Sequence, residues 1–199
     1  MGELKGAPSG PTTFIFPPSL ARFKLSLQEY LIAHPKFDGI AVGAFVFNPD
    51  GKLLLVQRAA HDSLPSLWEI PGGACDFEDE SLLHAVAREL WEESGLYAKS
   101  IVTLVGESRP FFVRGNRRMC KYSFLTEVEG YEVALDPNEH QAFLWVTEEE
   151  ARSGKCGDVE FEYTFEEQRE AVLESFQLKK EEQPVSGYGV YARVALVAV

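Results

Sequence analysis

A chain of 199 residues, 45% hydrophobic and 25% charged, is long enough to bury one sizeable core and needs no second domain to do so. Its formal net charge of −12 argues against a nucleic-acid backbone or an anionic membrane as main partner, since either asks for a basic face. Cys75, Cys120 and Cys156 are odd in number and lack metal-type spacing, which points away from a disulfide framework or zinc site and toward a reduced, cytoplasmic protein.

In chain order, residues 1–13 are glycine, proline and small polar residues and read as an arm. Phe14-Ile15-Phe16 reads as a short extended piece. Ser26 and Glu29 form a capping box, with Leu25 and Tyr30 as its hydrophobic staple, so a helix is expected from Leu27 to about Ala33, before Pro35. Gly39 to Phe47 is rich in Val, Ile and Phe, and Asn48-Pro49-Asp50-Gly51 is a strong turn into Lys52 to Arg58; the pair reads as a hairpin. Arg58 at its far end is open to two readings, a contact to a substrate phosphate or a surface salt bridge. The run Gly39 to Phe47 is too short to span a bilayer, and no basic segment leading into an apolar run opens the chain, so no membrane partner or secretory signal is expected.

Leu67 to Ile70, with Trp68 in it, reads as a short strand delivering the chain to Gly72 and Gly73. Two adjacent glycines suit a turn that presents backbone groups to a metal or phosphate. Strands are then expected at Ile101 to Val105, Met119 to Val128 and Phe143 to Val146. Arg114 to Arg118 is a basic turn between two of them, either a solvated hairpin tip or a clamp on phosphates. Thr147 with Glu150 and Thr164 with Glu167 are two more capping boxes. They are expected to start a short helix near Ala151 and a longer one ending near Leu178, which packs Phe165, Val172 and Phe176 on the sheet. Lys179 to Pro184 is a charged break, and Tyr188 to Val199 reads as a final strand.

The most informative stretch is Pro71 to Leu96. Leu82, Leu83, Val86, Ala87 and Leu90 recur at helical spacing, and Gly95 is the residue expected just past a helix. At about 100° per residue Glu93 falls inside the apolar sector of that helix and Glu89 at its edge, with Glu92 alongside. Glu89 and Glu93 are also four residues apart, where like charges repel. A partly buried carboxylate must be neutralised, paired or bound to a metal, so a divalent cation is the expected answer.

Glu80, the seven residues Ser81 to Ala87, and Arg88-Glu89-Leu90-Trp91-Glu92-Glu93-Ser94-Gly95-Leu96 resemble the Nudix box position for position. The departure is in the glycine loop, where six residues rather than five separate Gly73 from Glu80; a longer loop costs little closure entropy. The resemblance covers residues 38–178, taken as the domain, with an arm and added helix at 1–37 and a tail at 179–199. It implies an α/β fold, a Nudix-type α/β/α sandwich with a mixed sheet between helices. It implies a Mg2+- or Mn2+-dependent hydrolase that cleaves the diphosphate linkage of a nucleoside diphosphate joined to another moiety. The expected metal ligands are Glu89, Glu92 and Glu93, with the Gly72 carbonyl a further candidate. Arg88 is expected to orient the glutamates, and Glu89 or Glu139 to act as base. Arg58, Trp68 and Arg114 are the candidate substrate contacts. A diphosphatase of a non-nucleotide such as an isoprenoid is the alternative, with Trp68, Phe111, Phe112 and Tyr122 lining its pocket; a non-catalytic Nudix-fold binding module is the third reading.

Overall fold

The fold is described from a computed structural model over residues 13–182 and 197–198. The arm expected at 1–13 falls, except for Thr13, outside the described residues. So does most of the expected final strand.

β1 (Ile15–Phe16) is followed by a 3-10 turn at Pro18–Phe23 and by α1 (Leu27–Ala33). The expected capping box of α1 is made in full, with Glu29 N–H donating to Ser26 Oγ and Glu29 Oε2 accepting from the Ser26 N–H. β2 (Gly39–Phe45) is buried along its whole length, as an apolar run covered on both faces must be. β3 (Leu53–Arg58) and β4 (Trp68–Glu69) lead to α2 (Leu82–Ser94). Then come β5 (Ala98–Val113), β6 (Arg117–Val128), β7 (His140–Val146), α3 (Glu148–Ser153), β8 (Lys155–Cys156), β9 (Val159–Glu160), α4 (Glu166–Glu182) and β10 (Val197–Ala198).

Two sheets share the interior. The larger runs β10-β1-β5-β6-β2 and is mixed, with β2 parallel to β6 and β5 antiparallel to it; the smaller is β4-β3-β7, all antiparallel. Alternate residues of β2 and β3 face opposite cores. Ile40, Val42, Leu54 and Val56 meet α2 and the N-terminal elements, while Phe45, Leu53 and Leu55 meet α4 through Val172 and Phe176. This is the expected sandwich, with helices on both sides.

Several details differ from the sequence reading. The Asn48–Gly51 turn forms, and Leu54 N–H reaches the Val46 carbonyl, but β2 and β3 then diverge into different sheets instead of pairing as a hairpin. Each found a better partner further along the chain, β6 for β2 and β7 for β3. The strand expected at Ile101–Val105 extends over 16 residues, as far as Val113, because β6 pairs with it along its length through three register shifts. Phe165 is 58% exposed and does not pack on the sheet; Phe161 and Tyr163 take that side, with Trp68 against Phe161. α4 starts at Glu166 without the capping box expected of Thr164 and Glu167, and it runs through Lys179 to Glu182, where a break was expected. The box of Thr147 and Glu150 is present at α3. In the described part of the final strand, Val197 and Ala198 pair with β1.

Candidate active site

The glycine segment lies along the free edge of β2. Ala44 N–H donates to the Pro71 carbonyl, Val42 N–H to the Gly73 carbonyl, and Cys75 N–H to the Ile40 carbonyl, at 2.8–2.9 Å. The chain thus leaves the smaller sheet at Glu69 and is clamped to the larger one two residues later. Of the three carbonyls from Pro71 to Gly73, the one on Gly72 is not used by β2. Glycine is required there: φ is 153°, and a Cβ would come 2.3 Å from the Val42 carbonyl oxygen. At Gly73 a Cβ would come 2.6 Å from Glu89 Oε2, so the second glycine makes room for a carboxylate.

α2 supplies that carboxylate. Its N-cap is Ser81, whose hydroxyl accepts from His84 N–H, and it ends on Gly95 at φ 70°, as the sequence predicts. Leu82, Leu83, Val86 and Leu90 anchor the helix in the core, and Glu93 and Glu89, only 5% and 8% exposed, are carried in with them. Glu93 Oε2 accepts from Gly72 N–H at 2.6 Å. Glu92 stays half-buried at the rim.

Arg88 ties the acids together. Its Nη1 donates to Glu89 Oε1 at 2.8 Å and to Glu92 Oε2 at 2.9 Å. Its Nε and Nη2 grip both oxygens of Asp79, and Nη2 also reaches the Ala74 carbonyl. Asp79 is the acid that sequence reasoning missed. It sits at the end of the glycine loop, just before Glu80, in a turn closed by Asp76 N–H on Asp79 Oδ2. The glycine loop therefore supplies a bidentate brace for Arg88.

One guanidinium serves Asp79, Glu89 and Glu92, and Glu93 has only a backbone N–H. Burial raises Glu89 to about 7 against the pull of Arg88, with Glu92 and Glu139 adding to the rise. Burial also drives Glu93 well above the carboxylate range; the Gly72 N–H opposes this, and Glu89, Glu69 and Glu139 reinforce it. The site has more negative groups than its own cations can offset. That is the electrostatic pattern of a cation-binding site, and carboxylate oxygens are the donors Mg2+ and Mn2+ favour.

Glu139 comes from the loop before β7, is exposed, and has a carboxylate oxygen within 4.8 Å of one of Glu93. The other candidates are placed elsewhere. Arg58 donates to Glu69 and, at 2.5 Å, to Asp62 Oδ2, so the salt-bridge reading describes it. Trp68 is 3% exposed, packed against Phe161 and away from the acids of α2. Arg114 stands on the exposed tip between β5 and β6 and makes no hydrogen bond or ion pair among the described residues. Of its neighbours, Arg117 Nη2 donates to the Asp38 carbonyl, and the Arg118 backbone N–H donates to Asp38 Oδ2 while its guanidinium lies over the Phe37 ring. Cys75, beside the site, is buried, and burial pushes its thiol up, consistent with an inert small residue.

Glu69 and His140 are also part of this region and were not foreseen. Glu69 is 7% exposed; burial pushes it up, but the His140 ring and the charges of Lys121 and Arg58 outweigh that and hold it below the carboxylate range. An acid inside the apolar run Leu67 to Ile70 was the available signal.

Residues 38–170 match the NUDIX domain family model. The CTP pyrophosphohydrolase of Escherichia coli (strain K12) is 37% identical over 112 residues, 56% of this chain and 78% of that protein. An RNA pyrophosphohydrolase of a Psychrobacter species is 43% identical over 63 residues, 32% of this chain and about a third, 34%, of its own length. Among solved structures, the MutT protein of Methanosarcina mazei Go1 superposes with a TM-score of 0.56 at 27% identity, over 72% of this chain and 96% of that one. With the acidic helix and its glycine turn in place, the match makes the chain a member of the Nudix family, a hydrolase acting on phosphate anhydrides.

Proposed function

We propose that this Nudix hydrolase cleaves the diphosphate linkage of a small nucleoside diphosphate derivative, using Mg2+ or Mn2+ held by Glu89, Glu92 and Glu93 with the Gly72 carbonyl. The observation that carries the metal assignment is the burial of Glu89 and Glu93 on one helix face with a single guanidinium to serve the whole group. A bound divalent ion there would offset substrate charge and make water a better nucleophile.

The chain's own residues supply the rest. Glu89, buried on α2, or Glu139, from the loop before β7, would take a proton from the attacking water. Water attacks one phosphorus, the bridging P–O bond breaks, and the other phosphate leaves with the bridging oxygen. Arg88 and Asp79 fix Glu89 so that little reorganisation is needed.

The net charge of −12 favours a small substrate over a nucleic-acid polymer. The isoprenoid alternative loses its pocket, because Trp68 and Tyr122 are buried in two different cores and Phe112 is 64% exposed. Three free cysteines favour a reducing, cytoplasmic setting.

The test is a screen of nucleoside diphosphate derivatives and prenyl diphosphates with and without Mg2+, with products read by chromatography. Release of a nucleoside monophosphate only with the metal is expected. A prenyl monophosphate alone, or no hydrolysis of any compound, would overturn the reading.

A further inference from the structure

Glu93 has a second set of neighbours that α2 does not supply. A carboxylate oxygen of Glu93, one of Glu139 and a ring nitrogen of His140 all lie within 4.8 Å of one another. His140 is 2% exposed, and neither of its ring nitrogens makes a hydrogen bond. The nearby acid, Glu69 Oε1, stands 3.6 Å from Nε2. That contact engages one ring nitrogen at most and is longer than a hydrogen bond, so the other nitrogen is buried without a partner, where polar groups are nearly always bonded.

We propose that Glu93, Glu139 and His140 form a mixed nitrogen and oxygen cation site, beside the all-oxygen set of Glu89, Glu92 and Gly72, which takes a transition-metal ion such as Mn2+ in preference to Mg2+. Imidazole is the donor that separates the two ions. Mg2+ takes oxygen ligands and gives up its waters reluctantly, whereas Mn2+ and the metals after it in the first row accept imidazole as well as carboxylate. The surroundings match what a ligating histidine needs. Such a ring is commonly oriented by a second carboxylate, and Glu69, itself held by Arg58, lies 3.6 Å from Nε2, which leaves Nδ1 as the nitrogen for the ion. His140 also opens β7, opposite Arg58 on β3, so its backbone is fixed by the smaller sheet.

This inference rests on the proposed function only in sharing Glu93, and the test separates the two. Mn2+ alone is added to the full chain, and pulsed electron paramagnetic resonance reads whether an imidazole nitrogen couples to the bound ion. Calorimetry gives the ratio of Mn2+ to Mg2+ affinity. Coupling is expected in the wild-type protein, with a preference for Mn2+ on the order of 10–100-fold that His140→Gln reduces to a few-fold. The chain has four histidines, so a variant with His34, His61 and His84 changed to Gln leaves His140 alone and should keep the coupling. That variant decides the matter even if His140→Gln fails to fold. Bound Mn2+ without nitrogen coupling, or coupling lost with His34, His61 and His84, would overturn the site. Mg2+-dependent hydrolysis without coupling would sink this inference alone, and coupling without hydrolysis of any diphosphate would sink only the proposed function.

Discussion

Two acidic regions of the same chain treat their glutamates in opposite ways. At the junction of α3 and α4, Glu148 accepts from Lys180 at 2.5 Å, from Arg152 at 3.0 Å and from Gln177 at 3.0 Å, and its hydrogen bond to Lys180 leads the causes that hold its carboxyl below the ordinary value. On α2, Glu89 and Glu93 are buried among other acids, and both are pushed up. The first arrangement is the ordinary use of surface charge, each acid with a cation of its own. The second works against stability, and a fold keeps such a cost where the groups have another task.

The largest expected break in this contrast is Glu93→Gln. The amide can still accept from Gly72 N–H, but it carries no charge for a cation. Turnover should fall on the order of 10²–10³-fold while the metal-free thermal midpoint holds or rises. Unchanged turnover would remove Glu93 from the site.

A second effect is a pH dependence of opposite sign in the two regions. Glu89 has a folded value of about 7 against 4.5 for an ordinary glutamate, so between those values the native state binds more protons than the unfolded one. Its stabilising contribution is full below pH 4.5 and is lost as pH rises through 7. Denaturant melts of the metal-free protein should show a loss on the order of 2–3 kcal/mol from Glu89 over that window, and Glu89→Gln should reduce the total loss, leaving the part of the same sign that comes from Glu93. Glu148 runs the other way: its value is lowered, so its contribution is present above pH 4.5 and fades on acidification. A flat profile through pH 7 in the wild-type protein would count against the burial argument.

The smallest effect belongs to the surface pair. Glu148→Gln should cost about 1 kcal/mol or less in stability, shrinking further in high salt, with turnover unaffected. A loss of activity from that change would mean the two regions are coupled.

What the sequence made legible was local. The wheel placed Glu93 among Leu82, Val86 and Leu90 because helical phase is fixed by residue spacing, and the capping boxes of Ser26 and Thr147 depend on four residues each. The separation of β2 from β3 was hidden, because a turn signal specifies the reversal and not which later strand competes for each arm. Arg58 is open to a phosphate contact or a salt bridge in the sequence, and only the tertiary fold shows Glu69 and Asp62 beside it and Phe161 against Trp68. Asp79 and His140 escaped for a related reason: their partners are nine residues and tens of residues away, beyond any local pattern.

The divergence at Asn48–Gly51 reaches further than the fold. Glu89 and Glu93 ride on a helix braced against one sheet, while Glu139 and His140 arrive at the start of an edge strand of the other, with the Glu139 carbonyl accepting from Ala59 N–H. The two sheets are like the covers of a book with the chemistry written across the gutter. If these acids do carry out the hydrolysis, a change in apolar packing remote from every one of them that shifts one sheet against the other should lower turnover with the side chains themselves unaltered.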